Sequence, residues 1–230
     1  MQYQQVPAAR LDAEKKMTDF KQSNTAKYLT SLYSVSTPTE LASIYDTWAD
    51  SYDVDVVQRN VEYVAPRATA LRAQTEGGNM AGSILDAGCG TGLVGVALAQ
   101  LGARTIDGMD LSPGMLGAAR KTGAYSDLSV ADMSEQIDKP DASYDVITCC
   151  GTFTAGHVGP DPAIKELVRL ARPGGVVVAT ITDAVFDRDG YRAEIERLAS
   201  EGLITIVAME KEPYRIGSNT WAHMVVLRRK

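Results

Sequence analysis

The sequence is poor in the residues that build metal centres and disulfide frameworks. Its 230 residues include three cysteines, Cys89, Cys149 and Cys150, and two histidines, His157 and His223. No two cysteines are spaced as C-x-x-C, and an odd number with one adjacent pair is not typical of a disulfide-stabilised domain. The set therefore predicts neither a structural zinc site nor a metal cofactor.

Excess positive charge and long hydrophobic runs are also missing. The chain carries 29 acidic and 23 basic residues, a formal net charge of −6. Proteins that bind nucleic acid usually need a basic face, so this balance argues against such a partner. No apolar run approaches the about 18 residues that span a bilayer, and residues 1–16 lack the apolar core of a signal peptide. We expect a soluble, cytoplasmic protein with no membrane partner; the sequence leaves its oligomeric state open.

From residue 83 onwards, strand-like segments alternate with helical ones. Strands are predicted at 83–87, 105–111, 128–131, 144–149, 176–181, 203–209 and 221–227, and helices at 93–101, 113–121, 161–171 and 188–201. This alternation predicts an α/β fold, a Rossmann-like doubly wound sheet of seven strands covered by helices on both faces. The last two strands are joined by about eleven residues without a helical pattern, so they are expected to pair antiparallel and to leave one strand reversed.

The part of the chain before this core is predicted to be an N-terminal helical cap. Residues 1–38 are polar, and they are interpreted either as a frayed arm or as a lid over a site. Residues 39–76 are assigned to the same domain as the core at 83–230, as cap helices, the second of them at 59–75. In the first cap helix Ile44, Trp48 and Tyr52 fall at i, i+4 and i+8, on one face.

A glycine-rich turn follows the first predicted strand. Glycines 88, 90, 92 and 95 come directly after Asp86. Such a turn lies at the carboxyl edge of an α/β sheet, where ligands bind, and bare backbone lets a ligand approach closely. The last three glycines match the G-x-G-x-x-G pattern of dinucleotide sites. However, the carboxylate of Asp86 would repel a pyrophosphate. A cationic ligand without phosphate, such as S-adenosylmethionine, fits the charge better.

Four short motifs together resemble those of the class I S-adenosylmethionine-dependent methyltransferases. They are LDAGCGTG at 85–92, GMDLSPGM at 108–115, ADM at 131–133 and RPGG at 172–175. The resemblance implies S-adenosylmethionine as cofactor and S-adenosylhomocysteine as product. It also implies a set of cofactor-binding residues, namely Asp86, Ala87, Gly88, Cys89, Gly90, Gly92, Asp110, Leu111, Met115, Asp132 and Met133. Within that set, Asp110 is expected to hold the ribose hydroxyls, Asp132 the adenine amino group, and Met115 to pack on the adenine or ribose.

Two further segments resemble the methyltransferase-like proteins named after the Williams–Beuren chromosomal region, a group that brings no settled substrate. They are YDTWADSYD at 45–53 and CCGTFTAGHVGP at 149–160. The first implies that Tyr45 or Tyr52 contacts the cofactor. The second follows the fourth strand, where the methyl group is expected to be presented. The resulting candidates for acceptor contacts are Thr152, Phe153, Trp48 and Tyr33, with His157 as a candidate general base.

These features together predict an enzyme that moves a methyl group from S-adenosylmethionine to a small molecule by in-line displacement. Four alternatives stay open at this point. Two are a nicotinamide-dependent oxidoreductase and a module that binds S-adenosylmethionine without turnover. The other two are methyltransferases with a different acceptor, either a protein or peptide, which would need an open groove, or a lipid-like or isoprenoid molecule, which would need a larger apolar pocket. His157 also has a simpler interpretation, as a loop histidine bonded to backbone. The sequence does not reveal whether the acceptor atom is oxygen, nitrogen or sulfur.

Overall fold

A computed structural model describes residues 28, 31, 37–55 and 62–230 of the chain. Most of the predicted arm at 1–38, including Tyr33, lies outside these described residues. The same is true of residues 59–61, where the second cap helix was expected to begin. None of the described helices is long and apolar enough to cross a membrane.

Helices and strands alternate through the described core, after two cap helices. The cap helices are α1 (Pro38–Trp48) and α2 (Ala65–Thr75). The remaining elements are β1 (Ser83–Ala87), α3 (Leu93–Gln100), β2 (Thr105–Asp110), α4 (Pro113–Lys121), β3 (Asp127–Val130), β4 (Tyr144–Phe153), α5 (Ala163–Leu170), β5 (Ala171–Thr182), α6 (Asp183–Phe186), α7 (Tyr191–Ser200), β6 (Ile204–Arg215) and β7 (Thr220–Arg229).

The strands form one seven-stranded sheet in the order β3-β2-β1-β4-β5-β7-β6. The first five strands of this order pair parallel, and β7 runs antiparallel to both of its neighbours. The predicted Rossmann-like sheet with one reversed strand is therefore confirmed. Since the order reverses direction between β1 and β4, the carboxyl ends of these two strands flank the crevice in which open α/β sheets bind ligands.

Both faces of the sheet are buried, which explains the nearly continuous apolar strands. Ile84 packs on one face with residues of α2 and α3, whereas the adjacent Leu85 packs on the other face with residues of α5 and α7. Alternate residues of a strand point to opposite faces, so a strand covered on both sides needs apolar residues at consecutive positions.

Three strands extend farther than their hydrophobic pattern indicates. The strand predicted at 176–181 already begins at Ala171 and so includes the RPGG segment. The strand predicted at 144–149 continues to Phe153, after an irregularity in its pairing with β5. The strand predicted at 203–209 continues to Arg215. This extension contains charged residues and Pro213, which are tolerated because β6 is an edge strand. It places the Tyr214 hydroxyl beside Gly151, near the end of β4.

Helix α1 of the cap is attached to the start of α4. The Asp46 carboxylate accepts hydrogen bonds from Ser112 Oγ at 2.5 Å and from the Gly114 amide at 2.7 Å. Ser112 also caps α4 itself, because its Oγ accepts from the Met115 amide at 3.0 Å. The backbones approach so closely that a Cβ on Gly114 would lie 2.9 Å from the Asp46 Cα. The cap is thereby fixed over the carboxyl edge of the sheet.

Candidate active site

A cavity lies at the carboxyl edge of the sheet, beneath α1. Its empty space amounts to about 860 Å³ when the space at its open mouth is included. Many of the residues predicted from the sequence line it: Tyr45, Tyr52, Gly88, Cys89, Gly90, Asp110, Leu111, Met115, Asp132, Met133, Thr152 and His157. The structure thus brings together residues from the ends of β1, β2, β3 and β4 with two tyrosines of the cap.

Four other predicted residues do not reach the cavity wall. Ala87 and Phe153 are completely buried in the sheet core. Gly92 begins α3 in the left-handed conformation. Trp48 is buried within the cap, where its Nε1 donates to Asp55 Oδ2 at 2.9 Å and its ring lies 5.0 Å from that of Tyr28. None of these four residues lines the cavity.

Asp86 also lies behind the wall, in an enclosed hydrogen-bond network. Its two carboxylate oxygens accept from Tyr125 Oη at 2.7 Å and from Thr148 Oγ1 at 2.9 Å. Burial raises the pKa of this carboxyl to about 6, although both hydrogen bonds oppose the shift. The Asp86 carboxylate therefore lies beneath the glycine turn and does not line the cavity.

The ring of Tyr125 explains why positions 95 and 108 are glycines. A Cβ on Gly95 would lie 2.3 Å from the Tyr125 hydroxyl oxygen, and one on Gly108 would lie 2.9 Å from the same ring. The third glycine of the G-x-G-x-x-G match thus makes room for the tyrosine that holds Asp86. Nothing in the hydrophobic pattern singled out Tyr125, because it lies in the loop between α4 and β3.

The remaining glycines of the turn do shape the cavity. Gly88 has a φ of +66°, and a Cβ there would lie 2.0 Å from Thr152 Oγ1, so the turn and the end of β4 touch. Gly90 has a φ of +54°, and a Cβ there would meet nothing within 4 Å. The backbone at Gly90 is therefore bare and faces open space, as a cradle for a ligand requires.

Asp110 joins the glycine turn to the end of β2. Its Oδ2 accepts from the Gly90 amide at 2.8 Å and its Oδ1 accepts from the Ser112 amide at 2.9 Å. Burial raises the pKa of this carboxyl, while these backbone hydrogen bonds oppose the rise. Each carboxylate oxygen has a second acceptor position, so the side chain can also receive two hydroxyl groups from the cavity.

Asp132 lies in the turn after β3 and also lines the cavity. Its Oδ1 accepts from the Ser134 amide at 2.8 Å and from Ser134 Oγ at 2.6 Å, which caps the turn after β3. The same residue lines the cavity beside Met133 and Met115, both of which are almost completely buried. This corner of the cavity combines a hydrogen-bond acceptor with two apolar side chains.

His157 and Tyr45 form a hydrogen-bonded pair on the opposite side of the cavity. Tyr45 Oη lies 2.7 Å from His157 Nε2, and His157 Nδ1 lies 3.0 Å from the Ala155 carbonyl oxygen. A carbonyl oxygen only accepts, so Nδ1 carries the proton and Nε2 accepts from the tyrosine. Burial lowers the pKa of His157 and raises that of Tyr45 well above its usual value, so both are neutral at pH 7.

A cluster of tyrosines and an arginine next to this pair was missed in the sequence. The hydroxyls of Tyr63 and Tyr214 lie 2.9 Å apart, and the Arg215 guanidinium lies 5.1 Å from the centre of each ring. Gly151 has a φ of +90°, and a Cβ there would lie 2.8 Å from the Tyr63 hydroxyl. The only signal in the sequence is aromatic residues in segments that were interpreted as a helix and a loop.

Cys149 and Cys150 are adjacent in β4 but lie on opposite faces of the sheet. Cys149 packs in the core on one face of the sheet, whereas Cys150 lies on the other, with its Sγ 3.5 Å from the Tyr63 hydroxyl. Adjacent residues of a strand point to opposite faces, so the two thiols do not face one ligand together. Burial raises the pKa of both thiols, which keeps them protonated. Among the described residues, no group of three or more His, Cys, Asp or Glu side chains is arranged to hold a metal ion.

Comparison with known proteins points to one family. The sequence profile of a family described as a methyltransferase domain matches residues 84–175. The chain is 34% identical over 165 residues to human methyltransferase-like protein 27, covering 69% of this chain and 66% of that protein. It is 34% identical over 140 residues to a malonyl-[acyl-carrier protein] O-methyltransferase of Serratia marcescens, covering 60% of this chain and 51% of the relative. The chain thus spans about half to two thirds of the length of these relatives.

Solved structures agree on the fold. The crystal structure of the [4+2]-cyclase SpnF superposes with a TM-score of 0.65 over 84% of this chain and 97% of that one, at 17% sequence identity. At this identity the similarity shows a shared architecture and carries no statement about the reaction.

Proposed function

Because the chain belongs to the class I S-adenosylmethionine-dependent methyltransferases, we propose that it transfers the methyl group of S-adenosylmethionine to a small-molecule acceptor by in-line displacement. The observation that carries this proposal is Asp110, which is bonded to the Gly90 amide at 2.8 Å and lines the cavity next to bare backbone. A partly buried carboxylate held in this way can act as a bidentate acceptor for two vicinal hydroxyls. The described residues that line the cavity include no lysine or arginine, so none of them could neutralise the charge of a diphosphate.

The cofactor would occupy the cavity from the β3 end towards β4. Asp110 would accept the ribose hydroxyls, Asp132 and Met133 would contact the adenine, and Met115 would pack against the adenosine. The methionine part would lie along the backbone of Gly88 and Gly90. Asp86 would act from beneath the turn, where its negative charge favours a cationic ligand through the intervening backbone.

The acceptor would bind between the cap and the end of β4. S-adenosylmethionine supplies, when bound, a methyl group on a sulfonium whose sulfur leaves with the electron pair of the broken bond. The remaining work for the protein is to hold the nucleophile in line with that bond and to exclude water. Thr152, Tyr52 and the His157–Tyr45 pair line this end of the cavity.

His157 and Tyr45 would remove the proton from a hydroxyl or thiol acceptor. Tyr45 Oη already donates to His157 Nε2, so its own oxygen is free to accept a hydrogen bond from the acceptor. As the methyl group bonds to the acceptor atom, the acceptor proton would pass to Tyr45 and the tyrosine proton to His157 Nε2. The neutral histidine required at the start is favoured by burial, which lowers the pKa of His157.

Calorimetry with S-adenosylhomocysteine and with NAD separates this proposal from the oxidoreductase alternative. We expect S-adenosylhomocysteine to bind with a dissociation constant in the micromolar range and NAD to show no binding at the same concentrations. Binding of NAD in preference to S-adenosylhomocysteine would contradict the proposal. Binding without production of S-adenosylhomocysteine from S-adenosylmethionine over a broad acceptor panel would instead indicate a module without turnover.

A further inference from the structure

Arg215 is a basic residue beside the proposed acceptor site. The residue is partly buried, and its Nε atom has less than 1 Å² of accessible surface and no hydrogen-bond partner in the part of the chain that the structure describes. Among the described residues, no carboxylate forms an ion pair with its guanidinium, and the groups that act most strongly on it are four tyrosines. Placing an unpaired cation in the interior costs free energy unless a partner of opposite charge is supplied.

Aromatic rings hold this cation in place without neutralising it. The guanidinium lies 5.1 Å from the ring centres of Tyr63 and Tyr214, within the range of cation–π contacts. The two rings meet edge to face with their centres 5.0 Å apart, and their hydroxyls are hydrogen-bonded. Tyr63 lines the cavity, so Arg215 stands directly behind a wall residue.

The charge of Arg215 acts on the acceptor end of the cavity. It lowers the pKa of His157, Tyr45 and Tyr52, which all line the cavity, although burial is the larger influence on each. The carboxylates assigned to the cofactor, Asp110 and Asp132, follow β2 and β3, whereas Arg215 ends β6 at the other edge of the sheet. The charges around the cavity are thus negative at the adenosine end, where Asp110 and Asp132 line it, and positive behind the wall of the acceptor end, where Arg215 lies next to Tyr63.

We propose that the methyl acceptor is a small carboxylic acid, and that Arg215 with the Tyr63–Tyr214 hydroxyl pair binds its carboxylate. Guanidinium and carboxylate groups pair through parallel hydrogen bonds, and the tyrosine hydroxyls supply further donors. A carboxylate held in this way is a poor nucleophile, so the methylated atom is a second group of the acid, a hydroxyl or thiol facing Tyr45 and His157. The inference rests on the proposed function and specifies the substrate class of the same site.

Benzoate and benzamide are suitable probes because they have the same shape and differ in charge. Each is titrated calorimetrically into the protein saturated with S-adenosylhomocysteine. We expect benzoate to bind the native protein about 10- to 100-fold more tightly than benzamide, which is the usual effect of a charge-assisted hydrogen bond. In Arg215→Gln this preference disappears, and in Tyr63→Phe it shrinks. Arg188→Gln, which removes an exposed arginine paired with Asp189, keeps the full preference.

Binding of S-adenosylhomocysteine itself shows whether the arginine serves the cofactor instead. We expect Arg215→Gln to bind S-adenosylhomocysteine and 5′-methylthioadenosine, which lacks the amino-acid part, as tightly as the native protein does; this also shows that the variant is folded. A loss confined to S-adenosylhomocysteine would assign Arg215 to the cofactor carboxylate and overturn the inference. The inference would also be overturned if the native protein bound benzoate and benzamide with equal affinity, or if it bound neither compound. Failure of the native protein to bind S-adenosylhomocysteine would refute the proposed function instead.

Discussion

At the scale of single residues, the account depends on which carboxylate touches the ligand. Asp110 and Asp107 lie on the same strand, but only Asp110 lines the cavity, and Asp107 accepts instead from the Tyr144 hydroxyl at 2.9 Å. Substituting each of these two aspartates in turn therefore distinguishes a specific effect on cofactor binding from a general effect of removing a negative charge from β2.

The first prediction compares Asp110→Asn with Asp107→Asn. Asp110→Asn should weaken S-adenosylhomocysteine binding by about 1.5–3 kcal/mol, because the ribose hydroxyls lose a charged acceptor. Asp107→Asn should leave the affinity unchanged. Calorimetry measures both, and equal affinities for the two variants would show that the ribose lies elsewhere.

The second prediction concerns the protonation of His157. With only two histidines in the chain, NMR can follow each ring through a pH titration, and His157→Gln assigns the signals. His157 should titrate below its ordinary pKa of 6.5, with the proton of the neutral ring on Nδ1. The hydrogen bond from Tyr45 to Nε2 stabilises the neutral ring. Tyr45→Phe removes this bond, so the pKa of His157 should rise in that variant.

A pKa of His157 at or above 6.5 in the native protein would contradict its assignment as a neutral acceptor. The Tyr45→Phe variant also tests the role implied by the sequence resemblance. If Tyr45 held the cofactor carboxylate, the variant would lose affinity for S-adenosylhomocysteine; the pairing with His157 predicts that the affinity stays within about twofold.

At the scale of secondary-structure elements, the cap and α4 act as one unit. Asp46 on α1 accepts from the Gly114 amide at the start of α4, where the helix dipole favours a negative charge. Asp110 immediately precedes this helix start, so the attachment of the cap and the position of the ribose acceptor are coupled. Opening of the cavity should therefore depend on Asp46.

The third prediction compares Asp46→Ala with Asp50→Ala. Asp50 follows α1 closely, is fully exposed and reaches Lys121 only at 4.0 Å. Asp46→Ala should raise the dissociation rate of S-adenosylhomocysteine about tenfold, as expected for the loss of a charge-assisted hydrogen bond. Asp50→Ala should not change the rate. Stopped-flow fluorescence of Trp48 and Trp221 reports the dissociation. Identical dissociation rates for the two variants would show that the attachment of the cap does not control ligand release.

At the scale of the whole molecule, the buried Asp86 makes stability depend on pH. Its pKa is raised to about 6 in the folded protein, so the folded state keeps a proton between pH 4 and 6 that the unfolded state loses. The free energy of unfolding should consequently fall as the pH rises through this window, by about 2–3 kcal/mol from this group, and level off above it.

Urea unfolding of the native protein and of Asp86→Asn between pH 4 and 7 measures this contribution. The stability difference, native minus variant, should decrease as the pH rises. Asp107→Asn serves as a control without a buried charge. A difference that increases with pH would mean that the folded state stabilises the ionised carboxylate, contrary to the enclosed network described above.

Most of the fold and of the cofactor end could be predicted from the sequence, because they follow from local patterns. Alternating apolar segments determine a parallel sheet, and LDAGCGTG and Asp110 lie next to strand ends that the pattern locates. The acceptor end could not be predicted in the same way. Tyr63 and Arg215 are 152 positions apart and meet in an isolated β-bridge, which no periodicity reveals. The position of Asp86 behind the wall likewise depends on Tyr125, which is remote in sequence.

A crystal structure of the protein with S-adenosylhomocysteine would show whether Asp110 binds the ribose. We expect both ribose hydroxyls within about 3 Å of the Asp110 carboxylate, the homocysteine part along Gly88 and Gly90, and the sulfur directed towards Tyr45 and His157. A ribose bound away from Asp110, or a sulfur directed away from the end of β4, would contradict this expectation.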